Sequence, residues 1–333
     1  VKRMLNEIGE QGLLKRIQRF CPVGIIGDDG AVLEVKPDHQ LVVTTDVLVD
    51  QVHFSDRTTS PFDVGWRSAT ANLSDLAAMG ASPIGITVGL SLPGTTPVEW
   101  IEDLYQGLSS CLQQFQTPIV GGDITRSQVI TVAITALGEV LPQNVISRFQ
   151  AQPGDAILVT GYHGSSKAGL ELLLNPQLGT NLSFTEGNYL TLAHQRPQPR
   201  LDVITQLRKI DPHATVTGMD SSDGLGDAIA QICRCSQVGA IIDFASITYC
   251  SILDKLPANC PLEQWILDGG EDFELVLCLA PQIAQKLLAH LPKGAAIIGH
   301  IQKESQIIIN QADKVIKREV SDLTPGFQHF AAE

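Results

Sequence analysis

The sequence predicts an α/β protein, or its α+β variant, built as two domains. Three observations carry this. Strand-sized apolar and β-branched runs alternate with longer segments of helical period in both halves. A turn-rich break at 148–153, with Gln152-Pro153-Gly154-Asp155 as its turn, restarts that alternation. The length of 333 residues also exceeds one domain, at roughly 150 residues each. The expected division is 1–150 and 151–333. A composition of 44 % hydrophobic and 18 % charged residues is that of a globular chain.

The elements follow in order. Residues 3–20 place Leu5, Ile8, Leu13, Leu14 and Ile17 at helical spacing. Gly27-Asp28-Asp29-Gly30 is a turn, and Ala31 to Val35 reads as a strand. Leu41 to Thr45 is a β-branched strand that delivers Asp46 at its end. Pro61 to Met79 reads as a long helix, with Pro61 in its first turn and Gly80 at its stop. Asp75 rides on it. Ile84 to Leu92 is a strand, Val98 to Phe115 an amphipathic helix, and Ile119-Val120 a strand ending in a Gly121-Gly122-Asp123 turn. Val129 to Val140 is a long strand.

In the second half, Ala156 to Thr160 is a buried strand and Ser165 opens a helix to Leu174. His194 to Pro199 is a Pro-rich link. Val216 to Met219 runs into Asp220-Ser221-Ser222-Asp223-Gly224, and Leu225 to Cys235 is a helix. Ala240 to Phe244, Phe273 to Leu279, Ala295 to Ile301 and Gln306 to Ile309 are strands.

The net charge is −13, from 36 acidic and 23 basic residues. That balance argues against a general nucleic-acid binder and against an anionic membrane surface. No apolar run approaches the 18 or so residues of a membrane span. The first ten residues have no apolar stretch of signal type, so no leader is expected. Seven scattered Cys read as small core residues or free thiols, which suits a reducing cytoplasm. No His/Cys spacing of a zinc site occurs.

One arrangement recurs: strand, glycine, Asp. It occurs at Asp28-Asp29, Asp46, Asp123, Asp220 with Asp223, and Glu271-Asp272. Singly, each is more often a turn than a site. As a set, carboxylates at several strand ends suit Mg2+ with phosphates, since hard cations take oxygen ligands. Thr44 and Thr45 add oxygens beside Asp46. No P-loop and no protein-kinase signature set is present. Gly161-Tyr162-His163-Gly164 is a weak glycine-rich loop, better read as a strand-to-helix turn.

Seven motifs run in order along nearly the whole chain. They are Ile26-Gly27-Asp28-Asp29-Gly30-Ala31, Thr44-Thr45-Asp46 with His53-Phe54, and Asn72-Leu73-Ser74-Asp75-Leu76-Ala77-Ala78-Met79-Gly80. They continue as Gly121-Gly122-Asp123-Ile124-Thr125-Arg126, Asp220-Ser221-Ser222-Asp223-Gly224-Leu225, Gly269-Gly270-Glu271-Asp272-Phe273-Glu274-Leu275 and Gly326-Phe327-Gln328-His329-Phe330.

As an ordered set these motifs resemble the thiamine-monophosphate kinase family of the aminoimidazole ribonucleotide synthetase-like ATP enzymes, and the resemblance implies a two-domain fold. Its N-terminal, ATP- and Mg-binding domain gives strands to a barrel shared across a homodimer. Its C-terminal α/β domain adds metal and substrate contacts. The implied activity is ATP-dependent phosphorylation of thiamine monophosphate to thiamine diphosphate. By the same resemblance Asp29, Thr44, Thr45, Asp46, Asp75, Asp123, Asp220 and Asp223 hold several Mg2+ ions. Tyr105, Gly122, Arg148 and Ser222 contact ATP, and His53, Glu271 and Phe327 contact thiamine monophosphate. Ser221 departs from the family, which often carries a hydrophobic residue there.

The acceptor would be a phosphate monoester with a second pKa of about 6, so it is largely ionised at neutral pH. No general base is therefore nominated, and transfer is expected to be direct and in line. Bland roles compete: His53 as a solvated loop residue, Arg148 as a surface cation, Phe327 as a core seal. Rival functions are a selenophosphate synthetase or an aminoimidazole ribonucleotide synthetase, and a non-catalytic nucleotide-binding module. The Phe20-Cys21-Pro22 segment lacks the adjacent Lys that the first of these needs.

Overall fold

Residues 3–22, 25–26, 30–311 and 314–319 are described by the computed structural model of the chain. Asp29 and Phe327, and with Phe327 the whole closing motif, lie outside them. Two units emerge: Val1–Leu76 with Ala81–Pro142, and Ala77–Gly80 with Gln143–Glu333.

The first unit begins with helix α1 (Leu5–Ile17) and one 3-10 turn (Gln18–Phe20). Its sheet holds β1 (Gln40–Val49), β2 (Ser82–Leu92), β3 (Ile119–Arg126) and β4 (Thr131–Val140) in the order β1-β4-β2-β3. Only β2 and β3 run parallel. The helices are α2 (Pro61–Ala78) and α3 (Val98–Gln113). They meet backbone to backbone: a Cβ on Gly65 would stand 2.0 Å from the Leu104 carbonyl oxygen, and one on Gly107 1.8 Å from that of Phe62. Alternation sets the sheet's two faces. Leu48, Val88, Leu90, Ile134 and Ala136 are buried on one, whereas Leu41, Val43 and Val47 are exposed on the other.

Three local expectations change. Ala31 to Val35 joins no ladder; instead the Lys36 amide donates to Glu139 Oε2 at 2.9 Å and holds the segment's end. β1 continues through the apolar Val47-Leu48-Val49, so Asp46 lies inside the strand rather than at its end. Gly121-Gly122-Asp123 is strand, not turn. Gly122 is needed there because a Cβ would stand 2.1 Å from the Val88 carbonyl oxygen of β2.

The second unit has a seven-stranded sheet: β5 (Ala156–Val159), β6 (Thr217–Asp220), β7 (Gly239–Asp243), β8 (Leu275–Leu279), β9 (Ala296–Gln302), β10 (Gln306–Gln311) and β11 (Lys314–Glu319). The order is β11-β10-β7-β9-β5-β8-β6, with only β10 and β7 parallel. Helices α4 (Ser165–Leu174), α5 (Phe184–Gln195), α6 (Leu201–Ile210), α7 (Leu225–Ser236), α8 (Leu262–Asp268) and α9 (Pro281–Leu288) surround it. One buried cluster joins α7 to the sheet through Ile229, Ile232, Ile242 and Val276. A second joins α4, α5 and α8 through Ala168, Leu190 and Trp265. The predominantly antiparallel sheets make this the α+β variant. All seven Cys are free thiols, and no helix among the described residues is long and apolar enough to cross a membrane.

Candidate active site

In the first unit, β1 and α2 assemble one group of oxygens. Thr44 and Asp46 are two residues apart on a strand and so share a face. Asn72 and Asp75 are three apart on a helix and share one there. The two faces meet: Thr44 Oγ1 donates to Asp75 Oδ2. The Asp46 amide donates to Asn72 Oδ1 at 3.2 Å, and Asn72 Nδ2 donates to the Ser68 carbonyl at 3.0 Å. β1 is an edge strand, so alternate amides point away from its partner β4. Asn72, fully buried, satisfies one of them.

Thr45 stands on the opposite face, its Oγ1 2.9 Å from Thr135 Oγ1. His53 turns back on the end of β1: Nδ1 accepts from the Val49 amide at 3.0 Å. A neutral ring in that pose carries its proton on Nε2. Gly122 lies in the same cross-sheet row as Asp46, through Val88 and Ile134. Three strand spacings separate them, about 14 Å. Asp123 follows Gly122 and therefore occupies the other face. Asp123 and the Thr44–Asp46–Asp75 group are thus not gathered within one copy of the sheet. Tyr105 is a core residue of α3, 3 % exposed, with its ring stacked on Phe20 at 5.7 Å. Burial raises its phenol pKa, with Cys21 adding to the effect.

In the second unit, two loops meet. One is 220–224, between β6 and α7; the other is 269–274, leading into β8. The Glu271 amide donates to the Ser222 carbonyl at 2.7 Å, and the Ser221 amide to the Glu274 carbonyl at 2.8 Å. Ser222 Oγ donates to Asp220 Oδ1 at 3.0 Å. Asp220 is buried and Asp223 exposed. The Glu271 carboxylate lies 3.5 Å from Nδ1 of the buried His194. Arg148 Nη1 donates to Gln231 Oε1 at 2.5 Å, and Gln231 Nε2 to Asp227 Oδ2 at 2.6 Å. That chain fixes the direction of the guanidinium.

Sequence reasoning assigned no role to Asn72, His163 or His194, and counted Asp272 only among the acids at strand ends. Asn72 was detectable, being three residues before Asp75 on one helix face. The others depend on loop contacts that no local spacing reveals.

Among the described residues, no three of His, Cys, Asp or Glu stand together as a metal-holding group. The oxygens occur as smaller sets. Asp46 and Asp75 with the Thr44 hydroxyl are hard donors, and one or two carboxylates completed by phosphate and water is the habit of Mg2+. The donor chemistry fits that ion.

A family model described as AIR synthase related protein, N-terminal domain, matches residues 27–140. Its C-terminal counterpart matches residues 152–310. The thiamine-monophosphate kinase of Synechococcus elongatus is 48 % identical over 331 residues, covering 98 % of each chain. The chain belongs to the thiamine-monophosphate kinase family. The crystal structure of thiamine-monophosphate kinase from Stenotrophomonas maltophilia is 34 % identical, with a TM-score of 0.79 over 91 % of this chain and 97 % of that one. A further solved structure, AaThiL complexed with AMPPCP and TMP, is 28 % identical with a TM-score of 0.73, covering 95 % and 98 %.

Proposed function

We propose that this chain transfers the γ-phosphoryl group of ATP to the phosphate of thiamine monophosphate, yielding thiamine diphosphate and ADP. The observation that carries the reading is the direct backbone pairing of the Ser222 and Glu271 loops, 2.7 Å from amide to carbonyl. It makes one rigid unit of a nucleotide-side position and an acceptor-side position. A neighbour described with AMPPCP, an ATP analogue, and TMP supports the pair of substrates.

Asp46, Asp75, Asp123, Asp220 and Asp223, with Thr44 and Thr45 and with Asp29 outside the described residues, are the proposed Mg2+ positions. Bound there, Mg2+ would offset the repulsion between two polyanions. The rest falls to this chain's own groups. Arg148, aimed by Gln231, offers a planar fork to phosphate oxygens. Gly122, packed on the Val88 backbone of β2, would meet ATP through its own backbone beside Asp123, and Ser222 faces the nucleotide. His53 and Glu271 orient the acceptor, and Phe327 would present an aromatic face to the cationic thiazolium. Tyr105, packed on Phe20, is assigned to the core rather than to the nucleotide. No side chain need abstract a proton, because the acceptor oxygen is already ionised. The burden is alignment of that oxygen with the γ-phosphorus.

A homodimer belongs to the same reading. Leu41, Val43 and Val47 are 49 %, 56 % and 45 % exposed on one face of β1. An apolar sheet face left open to water favours a covering partner. A second copy on that face would also supply acids to a sheet that holds its own on opposite edges. The free thiols suit the cytoplasm.

The test is thiamine diphosphate formation from ATP and thiamine monophosphate by the purified chain, with sedimentation at twice the chain mass. Activity should vanish on chelation and return with Mg2+. ADP release without thiamine diphosphate would refute the acceptor assignment.

A further inference from the structure

The Gly161-Tyr162-His163-Gly164 turn between β5 and α4 has no part in the reading above. A glycine-rich turn entering a helix cradles phosphate when its amides are open. Here they are taken. The Asp272 carboxylate accepts from the Gly164 amide at 2.7 Å and from the Ser166 amide at 2.8 Å. The positive end of α4 is occupied by the chain's own anion.

The same turn carries His163. Its Nε2 lies 3.1 Å from Ser221 Oγ, and both residues are 1 % exposed. Ser221 Oγ also donates to the Glu274 carbonyl at 3.1 Å. Burial pushes the imidazole down to about 4, against an opposing effect of the Gly161 backbone, so the ring is neutral. The Ser221 hydroxyl has one proton and gives it to the Glu274 carbonyl, so it accepts from His163, whose neutral ring then carries its proton on Nε2.

This arrangement costs stability. Burying polar groups is unfavourable unless every one is paired. On its other side His163 Nδ1 meets only the Gly161 backbone, short of full hydrogen-bond geometry. Two apolar side chains would fill the space without that cost. What the polar pair adds is direction: a hydrogen bond fixes where the Ser221 backbone lies, and Ser221 sits between Asp220 and Ser222.

We infer that the Gly161–Ser166 turn is a two-sided positioning clamp, in which His163 sets the Asp220–Asp223 loop through Ser221 while the Gly164 and Ser166 amides set Glu271 through Asp272. The inference rests on the kinase reading for what each loop contacts. His163 and Asp272 are positioning residues: each acts through a neighbour.

The experiment compares His163→Leu, His163→Gln, Ser221→Ala, their double combinations and Asp272→Asn in the full chain. Thiamine diphosphate formation is titrated separately in ATP and in thiamine monophosphate. Loss of a group that supports a binding residue typically costs on the order of 10-fold to 100-fold. His163→Leu should raise KM for ATP by about 10-fold and leave KM for thiamine monophosphate within about 2-fold. Asp272→Asn should do the reverse. His163→Gln, which keeps a donor, should recover most of the loss. His163→Leu with Ser221→Ala should be no worse than either alone, as expected of one shared contact. Equal shifts in both KM values, no shift, or additive losses would overturn the clamp.

Hydrogen exchange separates this from failure of the kinase reading, and also serves where His163→Leu does not fold. In Ser221→Ala, which removes the hydroxyl that His163 meets, the amides of 221–224 should exchange faster while β5 and β8 stay protected. Unchanged exchange refutes the clamp whatever the activity. A wild-type chain that forms no thiamine diphosphate refutes the kinase reading alone.

Discussion

His163 makes stability depend on pH in a way that one substitution removes. Its imidazole titrates at 6.5 when unperturbed and at about 4 in the folded chain, because burial disfavours the charged ring. Above 6.5 the ring is neutral in both states and has no effect. As pH falls from 6.5 to 4, the unfolded chain takes up a proton that the folded chain refuses, so stability is lost. The loss approaches about 3 kcal/mol when complete, and between about pH 7 and about pH 5 it amounts to about 2 kcal/mol. His163→Leu deletes the titration and fills similar space. Urea unfolding of both chains at those two pH values gives the comparison. The wild type should lose about 2 kcal/mol more than the variant. Asp272, which burial pushes up to about 7, works in the opposite direction, its contribution to stability growing as pH falls. It titrates alike in both chains and cancels in the difference. Parallel pH profiles would refute a buried, neutral His163.

Two further outcomes follow from the sheet and its acids. Gly122→Ala drives a Cβ to 2.1 Å from the Val88 carbonyl oxygen, whereas at Gly121 the nearest atom is Thr87 Cγ2 at 3.7 Å. The first should cost about 2 kcal/mol or more in urea unfolding and the second less than about 0.5 kcal/mol, so equal effects would contradict the parallel pairing of β2 with β3. Asp75→Asn keeps an acceptor for Thr44 but removes the charge, and turnover should fall on the order of 10-fold to 100-fold with partial recovery at high Mg2+; a loss that Mg2+ leaves untouched would remove Asp75 from the metal set.

Much of this was legible because the informative signals are local. The helix carrying Asp75 announces itself by Pro61 and Gly80, and α2 ends at Ala78. The 220–224 motif lies between strand and helix as its sequence indicates. What stayed hidden is non-local. Strand alternation separates Thr45 from Thr44, but only the order β1-β4-β2-β3 puts Asp46 and Asp123 at opposite edges. Gly121-Gly122 imitates a turn because glycine serves both turns and close backbone approach. The difference lies in Val88, thirty-odd residues upstream. Ala31 to Val35 has a strand's composition but no ladder partner, and composition does not count partners.

The loop that carries Glu271 shows how the chain supplies alignment rather than acid–base chemistry. Gly270, Glu271 and Phe273 all have positive φ, at 66°, 57° and 52°. For the two residues other than glycine, that conformation costs about 1–2 kcal/mol each, or roughly 3 kcal/mol together. Left alone, the loop would relax to another backbone path and move Glu271. Opposing this are two charge-assisted bonds from the Gly164 and Ser166 amides to Asp272, at 2.7 and 2.8 Å, and the Glu271 amide bond to Ser222. Each bond contributes about 1 kcal/mol when neutral and more while Asp272 is ionised, a form that burial disfavours, so the three together match the strain. These tethers fix the backbone at Glu271 before any ligand arrives. A reaction between two anions gains most from that order, because every loop already fixed is freedom that binding need not remove.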